Sequence, residues 1–249
     1  MQLLKDSFRK ILSFYKKRKC DNDVLDYVLT ICRGYMSQWP PSEDKMAKIF
    51  ETIDEYLFDG LLTTTLVYLD MNIEFTTSLS RKHIAGQTTF GFGDSVITFG
   101  LNGKLFETLF TSNNNQYIVG GKQCRDINTC FLEIFAHEIC HVFIYLYRSV
   151  YGIKKWEERS HGRMFSLLCR QVFRQIETKH GLIPGFSSFA DLAVIRDIAR
   201  ECEKNDIDME YFDNGEWLTV KVYNVRRVYA SVSGDAGKFD VPISFLRPI

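Results

Sequence analysis

The stretch from Ile127 to Tyr147 is the most apolar in the chain, yet it carries Glu133, His137, Glu138 and His141. It reads as a helix built from Phe131, Ile134, Phe135, Ile139, Val142 and Phe143. Two imidazoles and a carboxylate on such a helix are unfavourable without a compensating partner. No uninterrupted run of eighteen apolar residues occurs, so the stretch is not read as a membrane span.

Within it stands His137-Glu138-x-x-His141, an H-E-x-x-H motif. At about 100° per residue the two histidines lie about 40° apart around the helix axis and one turn apart along it. Both rings can therefore reach one ion, and Glu138 projects beside them. Zn²⁺ held this way lowers the pKa of a bound water to about 7, and a neighbouring carboxylate then serves as general base. The chain has five histidines in 249 residues, so a chance match to the motif has a probability of about one per cent. Cys140 faces away from the pair and reads as a small core residue.

A catalytic zinc site keeps three protein ligands and one open position. The short metzincin pattern is absent, because residues 144 and 147 are Ile and Tyr. Downstream candidates for the third ligand are Glu157, Glu158, His161 and His180. His161 is preferred: it precedes Gly162 at the start of an expected helix. The glutamates sit among Lys154, Lys155 and Arg159 in what reads as a solvated turn, and His180 reads as a helix-end cation.

The rest of the chain reads as α+β. Leu3, Leu4, Phe8, Ile11, Leu12 and Tyr15, then Val24 to Met36, recur at helical spacing and predict an N-terminal helical pair over 1–41, ended by Trp39-Pro40-Pro41. Ser42 caps a third helix reaching Gly60. Short β-branched or aromatic runs at 66–69, 73–75, 88–90 and 96–99 predict a small sheet, and 111–126 reads as a surface loop. Helices are expected from about Ser160 to His180 and from Ala190 to Lys204. Alternation around Leu218–Tyr223 and Val228–Ser233 predicts a compact β module over 214–249. Gly91-Phe-Gly93 lacks the third glycine of a dinucleotide site, and no P-loop occurs.

Two motifs together resemble the SprT-like zinc metalloproteases: His137-Glu138-x-x-His141 and His161-Gly162-x-x-Phe165. Tyr56-Leu-Phe58-Asp-Gly60-x-Leu62 is similar to the family's first helix end, Ser80-Arg81 with Ala85-Gly86 to its first hairpin, and Val96-Ile-Thr-Phe99 to the strand before its active-site helices. The resemblance covers about residues 43 to 180. It implies a zincin-like metalloprotease domain over 42–205 with a small sheet and an active-site helix pair. It also implies Zn²⁺ held by His137, His141 and His161, with Glu138 as catalytic base. Nineteen residues separate His141 from His161, a longer insert than the family's usual one, and no zinc ribbon follows. The C-terminal segment is similar to a small β-barrel appended in some phage and viral relatives.

Spartan-like members of that family cleave proteins crosslinked to or trapped on DNA, which implies a protein substrate and single-stranded or damaged DNA as a partner. Lys+Arg and Asp+Glu are both 31, so no long-range field draws the chain to nucleic acid and any such contact must be local. Residues 1–41 hold eight basic and four acidic side chains. Between Arg148 and Arg163, Lys154, Lys155 and Arg159 with Trp156 and Tyr151 form a candidate nucleic-acid contact, in which cations track phosphates and rings stack on bases. A solvated loop with a half-buried Trp has the same pattern. Arg226-Arg227 offers a second patch of the same kind.

Seven cysteines without a C-x-x-C pair fit a reducing compartment, and the N-terminus lacks the apolar core of a secretory signal. An intracellular protein with no membrane partner is expected. Lys16-Lys-Arg-Lys19 reads either as a nuclear-import signal or as a charged helix end, leaving nuclear and cytoplasmic locations open. A non-catalytic, zinc-stabilised protein- or nucleic-acid-binding module is the alternative to the endopeptidase; retention of Glu138 favours the enzyme, because a structural site needs ligands but no base.

Overall fold

A computed structural model describes residues 1–79, 85–90, 95–111, 117–119, 122–124, 126–153, 161–175, 183–184, 189–213, 216–226, 229–235, 237–243 and 246–249. The first half begins with four helices, α1 (Gln2–Lys17), α2 (Asn22–Gly34), α3 (Glu43–Phe58) and α4 (Leu61–Tyr68). On α1, Leu4, Phe8, Leu12 and Tyr15 form one buried stripe, and the Tyr15 hydroxyl donates to the Leu57 carbonyl at 2.8 Å, tying α1 to α3. Asp21 and Ser42 accept from backbone amides at the starts of α2 and α3.

The strand expected at 66–69 is instead the end of α4. Asp59 and Gly60 adopt left-handed backbone conformations that end α3 and redirect the chain. The buried Asp54 carboxylate then accepts from Leu62 N at 2.9 Å and Thr63 N at 2.8 Å, satisfying amides of the new first turn. Leu61, Leu62, Thr65 and Leu66 bury together on one side. Capping by a residue eight positions upstream overrides the β-branched composition of Thr63-Thr-Thr65.

Three strands follow: β1 (Asn72–Thr76), β2 (Gly86–Phe90) and β3 (Val96–Leu101), ordered β1-β3-β2. β1 and β3 are parallel and β2 is antiparallel to β3, so β2 lies at an edge. α5 (Gly103–Thr111), a segment given no element above, leads away from β3. The expected loop at 111–126 contains β4 (Tyr117–Val119) and β5 (Lys122–Cys124), joined by β6 (Ile183–Pro184) in a second small sheet ordered β5-β4-β6.

α6 (Ile127–Tyr151) is the hub of the larger hydrophobic cluster. Phe143 packs edge-on to Phe8 of α1 at 5.1 Å, Phe135 meets Phe99 of β3 at 4.5 Å, and Phe131 meets Trp39 at 5.5 Å. Rings from three parts of the chain thus converge on one helix. By length and composition α6 is apolar enough to cross a membrane, and 83% of its most apolar window is buried inside the fold. It runs four residues past the expected end, to a left-handed Gly152.

α7 (Arg163–Gln171) is shorter than the helix expected over 160–180. Helical hydrogen bonding stops near Val172, and the turn at Arg174, with φ of 55°, carries Phe173 and Gln175 back into the core. Burial of those two side chains outweighs continuation of the helix. α8 (Phe189–Asn205) buries Ile195, Ala199 and Cys202 against a five-stranded antiparallel sheet. Its strands are β7 (Asp208–Asp213), β8 (Glu216–Val225), β9 (Tyr229–Gly234), β10 (Gly237–Pro242) and β11 (Leu246–Pro248), in the order β10-β9-β8-β7-β11. The strands begin at Asp208, earlier than the expected start at 214, and their core draws on α8, which lies within the 42–205 span given above.

Candidate metal centre

His137 and His141 project from one face of α6, and His161 stands in the turn before Gly162 and α7. The three ring centres form a triangle with every side 5.1 Å. His161 Nε2 lies 3.2 Å from His137 Nε2. An imidazole bound through Nε2 at about 2.05 Å has its centre about 3.2 Å from the ion, so three such rings at tetrahedral angles have centres about 5.2 Å apart and nitrogens about 3.3 Å apart. The observed distances match both values. A hydrogen bond between two histidines would account for the 3.2 Å contact alone, whereas the third equidistant ring fits convergence on a common point.

The ligand atoms of His137, His141 and His161 form a group that can hold a metal ion. Three imidazoles suit Zn, Cu, Ni or Fe rather than Mg or Ca, which prefer oxygen. His137 is buried while His141 and His161 are half-buried, so the group opens toward solvent on the side of the latter two. Phe165, fully buried on α7, lies 4.7, 4.5 and 4.6 Å from the three ring centres. Nearly equal distances put it close to the axis of the triangle, filling one of its faces.

Glu138 is buried, and its carboxylate is bracketed by β2. The Thr88 hydroxyl donates to Glu138 Oε2 at 2.8 Å and lies 3.3 Å from the Glu138 carbonyl oxygen. Two residues earlier, Gly86 leaves the space the carboxylate needs: a Cβ there would stand 2.6 Å from Ile134 Cγ2, 2.9 Å from Leu101 Cδ2 and 3.0 Å from Glu138 Oε1. Burial pushes the Glu138 carboxyl up to about 7 in the protein alone, against the opposing pull of the Thr88 hydroxyl and amide. A carboxylate so placed is a stronger base than an exposed one.

The other carboxylate of α6 has a structural partner set. Glu133 Oε1 pairs with Lys122 Nζ of β5 at 2.8 Å, and Gln175 Nε2 donates to the Glu133 carbonyl at 2.7 Å and to Oε2 at 3.1 Å. Lys122 also donates to the Phe173 carbonyl at 2.5 Å. This network pins the end of the α7 segment to α6 and hence the backbone that carries His161. Cys140 is buried with its sulfur 3.7 Å from Cys169, on the core side of α6.

Sequence reasoning missed Thr88, Lys122 and Gln175. Thr88 lay in an expected strand, but nothing in that strand's pattern indicates which residue of a distant helix it faces. Lys154, Lys155, Trp156 and Arg159, and the less favoured ligand candidates Glu157, Glu158 and His180, lie outside the described residues. Tyr151 is committed internally: its hydroxyl donates to the Lys5 carbonyl at 2.9 Å, with the Lys5 and Arg9 side chains over its ring. Arg226 pairs with Asp240 at 2.6 Å; Arg227 lies outside the described residues. Lys16 and Lys17 occupy the last turn of α1, where cations complement the helix dipole.

Compared with models of known families, with curated proteins and with solved structures, the chain gives no match.

Proposed function

We propose that this protein is a zinc-dependent endopeptidase with a zincin-like, SprT-like catalytic unit, acting on proteins bound or crosslinked to DNA. The observation that carries the reading is the 5.1 Å triangle of His137, His141 and His161 with Glu138 on the same helical turn. Zn²⁺ held by the three imidazoles would supply Lewis acidity toward a water and toward the scissile carbonyl. Glu138 accepts the proton of the attacking water on its carboxylate and delivers it to the departing amine. Phe165 gives the second resemblance motif a physical role, because it packs against all three ligand rings and limits their rotation.

DNA-bound substrates are favoured by the basic stretch that leads directly into His161, with Lys154, Lys155, Trp156 and Arg159 as its contacts. The intracellular compartment, nuclear or cytoplasmic, follows from the same reading. The test is digestion of a purified histone by the zinc-loaded chain, with and without single-stranded DNA. Cleavage stimulated several-fold by DNA is expected. Unstimulated cleavage would assign a protease of other selectivity, and no cleavage would favour a zinc-stabilised binding module.

A further inference from the structure

We propose that Thr88 is a positioning residue, whose hydroxyl on the edge strand β2 fixes the Glu138 carboxylate in the orientation that general-base action requires. The inference rests on the function proposed above and extends it to a residue outside both zinc motifs. Alternate residues of a strand share a face, so Gly86 and Thr88 both look onto α6. The first makes room beside Oε1 and the second donates to Oε2 at 2.8 Å, so two positions of one strand bracket both oxygens of the carboxylate. In the ionised form that acts as a base the carboxylate only accepts, so there the Thr88 hydroxyl is the donor. Glutamate has three rotatable side-chain bonds, whereas threonine is β-branched and stiff at χ1. The stiffness of the bond therefore comes from β2, which is itself held by β3 through the pairs Gly86 with Leu101 and Thr88 with Phe99. Valine has the same shape as threonine without the donor, and serine keeps the donor.

The experiment compares T88V, T88S, E138A and the double variant T88V/E138A in the full chain, with T88A alongside in case T88V does not fold. The first readout is the unfolding midpoint of the metal-free protein. The double variant is expected to shift the midpoint by clearly less than the two single shifts combined. The second readout is zinc-dependent digestion of labelled casein at matched zinc content. T88V and T88A are expected to lower kcat about 10- to 100-fold with KM within about twofold, and T88S to restore kcat to within about threefold of wild type. Additive midpoint shifts, or a T88V with wild-type kcat, would overturn the proposal. A wild type that digests nothing would sink the hydrolase reading, and the midpoints would then decide separately whether Thr88 holds Glu138.

Discussion

His161 Nε2 stands 3.2 Å from His137 Nε2 although the two are twenty-four positions apart in the chain. The contact joins the turn before α7 to the middle of α6, and the triad depends on that turn staying in place.

His161→Ala removes one of three ligands. Zinc affinity should fall by more than the roughly 10- to 100-fold typical of losing an outer-shell partner. Competition with a chromogenic chelator measures it. Affinity equal to wild type would place the third ligand elsewhere, with Glu157 and Glu158 the next residues to test.

Glu133→Ala should destabilise the fold by about 3 kcal/mol, because it leaves Lys122 and the Gln175 amide without their shared acceptor in a largely buried setting. Because the network anchors the α7 segment, zinc affinity should fall as well. Denaturant unfolding and chelator competition check the two effects, and an unchanged zinc affinity would separate the network from the site.

Gly86→Ala places a methyl group 2.6 Å from Ile134 Cγ2 and 3.0 Å from Glu138 Oε1. Overpacking of this kind is destabilising by about 1–3 kcal/mol. Thermal unfolding should show the loss; a neutral substitution would mean that β2 can move away from α6 without strain.

Asp54 gives a pH-dependent test remote from the triad. Burial pushes its carboxyl above the ordinary value, against the opposing pull of the Thr63 and Leu62 amides. A raised folded pKa means the folded state holds the proton more tightly, so this contribution is present below the unfolded pKa of about 4 and lost as pH rises through the folded value. Asp54→Asn keeps one acceptor and does not titrate. Wild-type stability relative to this variant should be greatest in acid and should fall as pH rises through the folded value. A relative stability that rises with pH would contradict the assignment.

The parts of the molecule legible in the sequence are those set by local periodicity. The stripe on α1, the Ser42 cap and the buried helix carrying His137 and His141 are written in neighbouring residues. His161 was legible too, because Gly162 and Phe165 mark a helix start and a packing residue beside it. What stayed hidden depends on distant partners. α4 exists because Asp54 caps it from the preceding helix, and α7 stops early because Phe173 and Gln175 turn back toward Glu133. Thr88 belongs to the same class: its spacing indicates a strand, and only the packing of β2 on α6 turns its hydroxyl toward Glu138.

The most direct test of the central claim is casein digestion by wild type and Glu138→Gln, each loaded to one zinc per chain. Both should bind the metal and share the same fold, and only the wild type should cleave, with loss of at least about 100-fold in the variant. Equal cleavage by the two proteins, or a wild type that binds no zinc, would contradict it.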